Sequence, residues 1–425
     1  MRIGIIIGRI GDVDGVALET EKWIHILKKM GHVIFILSGR FEKTIVGKDH
    51  ETLIPALSFF SPECEWEQNR AFYFPPDDPS ELLDHLEQVS DDLAIKMFKW
   101  IMQNKIDIII SENATALPAH LSMGMAIKKL VHNTGIQIIC HDHDFIWERG
   151  DRYKTPFIEV EKIIEETFPL QSSHAKHATI NTYSKNLLKE KYNINSLMVP
   201  NVMDFDQAYG IKDEYNNDLL SEINVQNNDI PLFQITRIVK RKGIETALEL
   251  IDRLEDDHIK LIITGSAADD NRKGYYKELI GIIDKRKLNK RVIFANRRIL
   301  NIRSKTREGE KIYSLSDAYA HAIGCTYFST YEGFGNAFIE AILSKTPIFV
   351  NNYKPVYWQD IGSKGFKTVM IEDNKLTDNA ISEIDKIIHN KKLQEEIVEH
   401  NYNLGKLLFS YDVLRDKLEV LFNKM

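Results

Sequence analysis

Glu332 and Glu340 bracket a turn whose residue types suit an anion next to a sugar. The stretch reads Tyr331-Glu332-Gly333-Phe334-Gly335-Asn336-Ala337-Phe338-Ile339-Glu340-Ala341. The apolar run 323–328 before it reads as a buried strand, and the periodic run 337–343 after it reads as a helix. Gly333 and Gly335 then sit on a tight strand-to-helix turn. Backbone N–H groups and the positive helix end favour a diphosphate there. Carboxylates repel a phosphate, so the two glutamates are expected to face sugar hydroxyls. Together these residues suggest a site for a sugar joined to a nucleoside diphosphate.

Other groups of residues suit the same chemistry. In Thr236-Arg237-Ile238-Val239-Lys240-Arg241-Lys242-Gly243, Arg237 and Lys242 offer a guanidinium fork and an ammonium for a diphosphate leaving group. Basic clusters are usually solvated faces. This one precedes the Glu332 turn by two strand–helix units in the same half of the chain, which favours the functional reading. Gly8-Arg9-Ile10-Gly11-Asp12-Val13-Asp14-Gly15 is a second glycine-rich loop between strand and helix. It lacks the dinucleotide fingerprint and the Gly-Lys-Ser/Thr of a P-loop, so it reads as a loop folding over a substrate, against the plainer reading of a tight turn. Cys140-His141-Asp142-His143-Asp144-Phe145-Ile146-Trp147-Glu148-Arg149 crowds polar groups at a strand end. Its histidines and aspartates invite a metal reading, to which His174 and His177 could add. Asp142-His143-Asp144 and Asp12-Val13-Asp14 both have the D-x-D form. Because Arg237, Lys242 and a helix end already serve the phosphates, no metal and no other cofactor is expected. His174 and His177 are expected to cover a helix surface.

These residues need a scaffold of short buried strands. Apolar runs at 3–8, 33–37, 106–110, 136–140 and 179–182 alternate with helical sequence. A second series follows, with strands at 232–238, 259–263 and 292–294 and helices at 244–254 and 275–283. That alternation implies an α/β protein with mostly parallel sheets covered on both faces. Two such domains are expected to face each other across a cleft: 1–205, then a polar linker 206–229, then 230–408, with a last helix 409–425 crossing back. The stretch 52–76 reads as a hairpin or loop at that cleft. The candidate residues all fall at strand ends, where such sheets bind ligands.

Bulk properties narrow the classes. At 425 residues the chain exceeds one ordinary core. A hydrophobic content of 43%, a charged content of 28% and a net charge of −7 describe a soluble globular protein and argue against a nucleic-acid partner. No apolar run approaches a membrane span, and the N-terminal run reads as a strand and not a signal peptide. Cys64, Cys140 and Cys325 are scattered, which fits buried thiols in the cytoplasm.

Taken together, these motifs resemble the retaining glycosyltransferases of the two-Rossmann GT-B fold, in particular family four. The E-x7-E pattern, the Arg–Lys pair, the first glycine loop and the His after an N-domain strand occur in that family's order. Val199-Pro200-Asn201-Val202-Met203-Asp204 resembles its domain junction. By position, the resemblance implies that Arg237 and Lys242 bind the donor diphosphate. Glu332, with Gly333, Phe334, Gly335 and Asn336, would hold the donor sugar and its phosphate. Glu340 would bind the ribose, and Arg298 would mark where the backbone holds the base. His141 would lie against the transferred sugar. Gly11, Asp14 and Gly15 would border the acceptor, with His143 and Arg149 nearby. Asp14-Gly15 stands where the family often has Gly-Gly. A basic insertion, 302–311, lengthens the loop beside the base site, and 351–358 replaces a commoner small-residue loop.

The expected activity is retaining transfer of a hexose from a nucleoside-diphosphate sugar to a hydroxyl of a small acceptor, acidic or itself a sugar. Arg149, Arg152 and Lys354 could pair with an acidic acceptor, although surface basic residues are common. Competing readings are a nucleotide-sugar 2-epimerase of similar fold, a metal-dependent hydrolase built on 141–144, and a sugar-nucleotide-binding regulator without turnover.

Overall fold

The computed structural model describes residues 1–266 and 274–423. The chain forms two compact units: Met1–Val202 with Tyr411–Met425, and Met203–Ser410. Among the described residues no helix is long and apolar enough to cross a membrane.

The first unit holds seven parallel strands: β1 Arg2–Ile7, β2 Val33–Ser38, β3 Glu51–Leu53, β4 Ile108–Glu112, β5 Gln137–Asp142, β6 Ala175–Thr179 and β7 Ser196–Met198. Their order is β3-β2-β1-β4-β5-β6-β7. β1 shows why the apolar runs become parallel strands. Ile3, Ile5 and Ile7 join one core layer and Ile6 the other, so both faces are buried. Leu414, Leu418 and Leu421, spaced along one face of the helix Tyr411–Phe422, complete the Ile3 layer with Trp23 and Leu27.

The second unit holds six parallel strands: β8 Ile230–Gln234, β9 Ile259–Ile263, β10 Val292–Phe294, then, beyond a small antiparallel hairpin of β11 Ser304–Lys305 and β12 Lys311–Ile312, β13 Gly324–Tyr327, β14 Ile348–Asn351 and β15 Val369–Ile371. The sheet order is β10-β9-β8-β13-β14-β15. Ile244, Ala247, Leu248 and Ile251 put one face of the helix Ile244–Arg253 onto it.

Three expectations need correction. The stretch 206–229 is not a linker but part of the second unit. Its carboxylates meet the basic insertion and Arg298 just before it: Asp213 pairs with Arg303 (2.7 Å), Asp218 with Lys311 (2.7 Å) and Glu222 with Arg298 (2.6 Å). Tyr215 Oη donates to the carbonyls of Ser304 and Ile312, both at 2.9 Å. Two charged segments that look solvated in isolation neutralise each other. The stretch 52–76 is neither hairpin nor plain loop: after β3 it forms the helix Pro62–Gln68, opened by Ser61 and Pro62, and a wider turn at Asn69–Tyr73. His177 does not cover a helix. It lies buried in β6, bridging Asp142 (2.7 Å) and the Leu170 carbonyl (2.9 Å).

Candidate active site

β8 and β13 are neighbours, so the loops leaving their C-terminal ends run side by side. Thr330 N–H donates to the Arg241 carbonyl (2.8 Å), and Arg241 Nη1 to the Tyr331 carbonyl (2.9 Å). A single 3-10 turn, Lys240–Lys242, ends at Gly243 with φ +60°. A Cβ on Gly243 would lie 2.0 Å from the Phe328 carbonyl oxygen, so glycine is what lets the loops meet. The turn points Lys242 inward and leaves Lys240 outside, paired with Glu245.

Glu332 is buried between two cations. Arg241 Nη1 lies 2.8 Å from Oε2, and Lys242 Nζ hydrogen-bonds Oε1. Burial alone would raise this carboxyl, but Lys242 and Arg241 outweigh it and hold it at about 2. Arg237 is exposed at the rim of the same loop, near enough for its charge to act on Lys242. Two cations thus hold one carboxylate, and the charge of a third, Arg237, reaches Lys242. The sequence singles out Arg237 and Lys242; the structure adds Arg241.

The glycine turn stands beside this cluster. Gly335 opens the helix Asn336–Leu343 at φ +134°. Tyr353 Oη donates to the Phe334 carbonyl (2.8 Å), and a Cβ on Gly335 would lie 2.1 Å from that hydroxyl. The unusual loop after β14 therefore supplies the prop under the turn. Gly333, Phe334, Gly335 and Asn336 together form the entrance to the helix N-terminus, which favours an anion. Further along the helix, Glu340 is fixed by Tyr319, whose Oη lies 3.2 Å from its Oε2 and from the Ala337 carbonyl. Arg298, the residue expected beside the base, has its own partners in the fold. Its backbone N–H donates to Ala295 (3.0 Å), its carbonyl accepts from Tyr313 (2.8 Å) and its guanidinium holds Glu222.

In the first unit, β4 and β5 end side by side, which brings Glu112 to His141. Glu112 Oε2 lies 2.9 Å from His141 Nδ1 and 3.7 Å from His143 Nε2. Burial would raise Glu112, but the two histidines outweigh it and hold it at about 2. An ionised Glu112 only accepts, so Nδ1 carries the His141 proton and Nε2 is left as the acceptor. Burial also lowers His141, disfavouring the charged ring. Trp23 stacks on it with centroids 3.9 Å apart. Among the described residues, Glu112, His141 and His143 are also spaced as a metal-ligand set, their donor atoms within 4.8 Å of one another. Neither D-x-D motif points at a shared ion. Asp142 is held by His177 and Asp144 by Arg149 (2.5 Å), while Asp12 and Asp14 both hold Arg9 (3.2 and 2.8 Å).

A cavity of about 610 Å³ opens in the same unit, lined by Asp14 and Arg149 among others. Gly11, Gly15 and His143, expected beside an acceptor, do not line it. Gly11 turns at φ +87° against Lys43, Gly15 starts the helix Gly15–Lys29, and His143 is buried against Glu112. Asp14 caps that helix, its Oδ1 accepting from Val16 (3.0 Å) and Ala17 (3.1 Å).

Residues the sequence reading missed had some signal. Ser111-Glu112-Asn113 is polar at the end of an apolar strand, just as His141 is. Asn113, at φ +55°, accepts from the N–H groups of His143 and Asp144 and shapes their turn. Arg241 had no separate signal, being the middle of three adjacent cations.

Residues 217–404 match the family described as glycosyl transferases group 1. The mannosylglucosylglycerate synthase of Thermotoga maritima is 30% identical, over 98% of this chain and 99% of the relative. The chain belongs to the group 1 glycosyltransferases. A second mannosylglucosylglycerate synthase, from Petrotoga mobilis, is 29% identical to this glycosyltransferase over 98% of the chain and all of the relative. Among solved structures, Anabaena HepE in complex with UDP has a TM-score of 0.68 at 13% identity, with full coverage of both chains. That likeness shows the GT-B fold.

Proposed function

We propose that this glycosyltransferase moves a hexosyl unit, with retention at the anomeric carbon, from a nucleoside-diphosphate sugar to a hydroxyl of a small acidic sugar. The observation that carries this reading is the pairing of Arg241 and Lys242 with Glu332 beside the Gly333–Asn336 turn, with Arg237 near enough for its charge to act on Lys242. An excess of cations at a helix N-terminus suits a departing diphosphate. The bond between the anomeric carbon and the phosphate oxygen breaks as a bond to the acceptor oxygen forms on the same face. The acceptor proton passes to the departing phosphate. Glu332, ionised and doubly paired, is a poor covalent nucleophile, which supports direct front-face transfer over double displacement. Its part is to seat the two cations and meet a sugar hydroxyl, while Glu340 meets the ribose. His141 offers Nε2 to a hydroxyl of the hexose. The protein cations supply the charge that a metal would, so no metal is required.

The relatives' printed activity makes a mannosyl donor and a glucosylglycerate acceptor the first pair to try. We place the reaction in the cytoplasm, where the buried free thiols Cys64, Cys140 and Cys325 stay reduced. A thermal-shift panel of UDP-, GDP- and ADP-sugars identifies the donor, because a bound ligand stabilises the fold. Proton spectra of the product then report the anomer. A product with inverted configuration, or donor consumed to a 2-epimer without any acceptor, overturns the reading.

A further inference from the structure

The cavity of the first unit has an uneven distribution of charge. Three arginines line it, and two are already satisfied. Arg9 holds Asp12 and Asp14, and Arg149 holds Asp144 at 2.5 Å. Arg152 has no carboxylate partner among the described residues. Its Nε donates to the Tyr73 hydroxyl at 3.2 Å, and its guanidinium lies 5.4 Å from the Tyr153 ring centroid. The remaining lining carboxylate, Glu65, likewise has no cation within ion-pair reach among the described residues. With the internal pairs set aside, the cavity presents one cationic feature, one anionic feature and an apolar wall that includes Phe59 and Phe60.

We infer that this cavity binds a sugar bearing a carboxylate, with Arg152 and Tyr73 receiving the carboxylate. A guanidinium fork matches the two carboxylate oxygens, and the Tyr73 hydroxyl, accepting from Nε, holds the fork in place. The phenyl wall suits the apolar face of a pyranose ring. Glu65 is an acceptor for sugar hydroxyls and would repel a second anionic group. The sequence treats Arg149 and Arg152 as equivalent candidates for an acidic acceptor. The Asp144–Arg149 pair removes that equivalence and leaves Arg152 as the specificity-determining residue.

This inference rests on the transferase reading for its biological sense but is tested apart from it. Glucosylglycerate and glucosylglycerol are matched probes, the second lacking the carboxylate. Binding to the full-length protein is measured first by calorimetry without donor. The wild type should bind glucosylglycerate about 100-fold more tightly than glucosylglycerol, as expected for loss of a charged hydrogen-bonded pair. Arg152→Met should abolish that preference while its thermal stabilisation by the donor sugar nucleotide stays at the wild-type value. Tyr73→Phe should weaken the preference less. Equal binding of the two probes by the wild type, or a preference retained in Arg152→Met, overturns the inference. Glucose 6-phosphate is the third arm: binding as tight as glucosylglycerate would reassign the subsite to phosphate and overturn the carboxylate assignment. Nucleotide release on adding donor is read separately. Carboxylate-dependent binding without release upholds the subsite and defeats the transferase reading. Release with glucosylglycerol at the glucosylglycerate rate does the reverse.

Discussion

The Trp23 ring lies on the His141 imidazole, 22° from parallel, while Glu112 accepts a hydrogen bond from Nδ1 of that ring. The imidazole is therefore fixed in tilt by one neighbour and in tautomer by the other. Glu112→Gln keeps the volume but removes the charge that fixes the tautomer. Losing a charged hydrogen bond of about 1.5–3 kcal/mol predicts a fall in kcat of about tenfold or more. Thermal stabilisation by the donor should be unchanged. A variant with wild-type kcat would reduce Glu112 to a structural residue.

Arg237 and Lys242 should behave differently when removed. Arg237 is exposed, so Arg237→Ala should fold normally and lose about 100- to 1,000-fold in turnover, as loss of one charge-stabilising donor typically does. Lys242→Ala leaves Glu332 buried beside a missing partner, which typically costs about 3–5 kcal/mol. Its melting temperature should drop as well as its rate. Adding Glu332→Gln to Lys242→Met should restore much of the stability and none of the activity. Melting curves and initial rates on the set separate the two roles.

Gly335→Ala meets Tyr353 Oη and a backbone angle that alanine avoids, a strain of about 1–3 kcal/mol. Donor affinity should fall. Tyr353→Phe in the same chain removes the clashing oxygen and should recover part of the loss, because the angle remains strained. Donor titrations of both variants check this, and an unaffected single variant would show that the turn does not shape donor binding.

Acid stability follows in part from carboxyls that the fold depresses. In Glu332, Glu67 and Asp317 burial raises the group, but the cations or hydrogen bonds around it win and hold each at about 2. In the unfolded chain they return to their ordinary values of 4.5, 4.5 and 3.8. Between these limits the unfolded state binds more protons. Their stabilisation is thus complete above about pH 4.5 and is lost as pH falls toward about 2. Urea unfolding at pH 7, 4 and 3 should show the midpoint falling mainly between the last two. The Lys242→Met/Glu332→Gln variant should show a shallower fall.

If arginine and lysine supply the charge at the phosphates, as proposed, incubation with EDTA should leave the initial rate unchanged. A rate lost and then restored by a divalent cation would turn Glu112, His141 and His143 into a ligand set.

The parallel strands were legible because burial on both faces leaves apolar runs such as 3–7. The glycine turn was legible because its residues adjoin in sequence. Pairings across distance were not. Glu112 meets His141 through the β4–β5 register. Lys242 meets Glu332 across 90 residues because β8 and β13 are neighbours. The acidic stretch 206–229 and the basic insertion each read as solvated, because neither shows the charge that cancels it.

The helix Tyr411–Phe422 gives the chain a particular order of assembly. Its leucines fill the layer that contains Trp23, yet a whole second unit is made between the two. Domains generally fold as they emerge during synthesis. Here the core layer of the half made first is complete only once translation has passed Leu421. The half made second can close its own sheet before that.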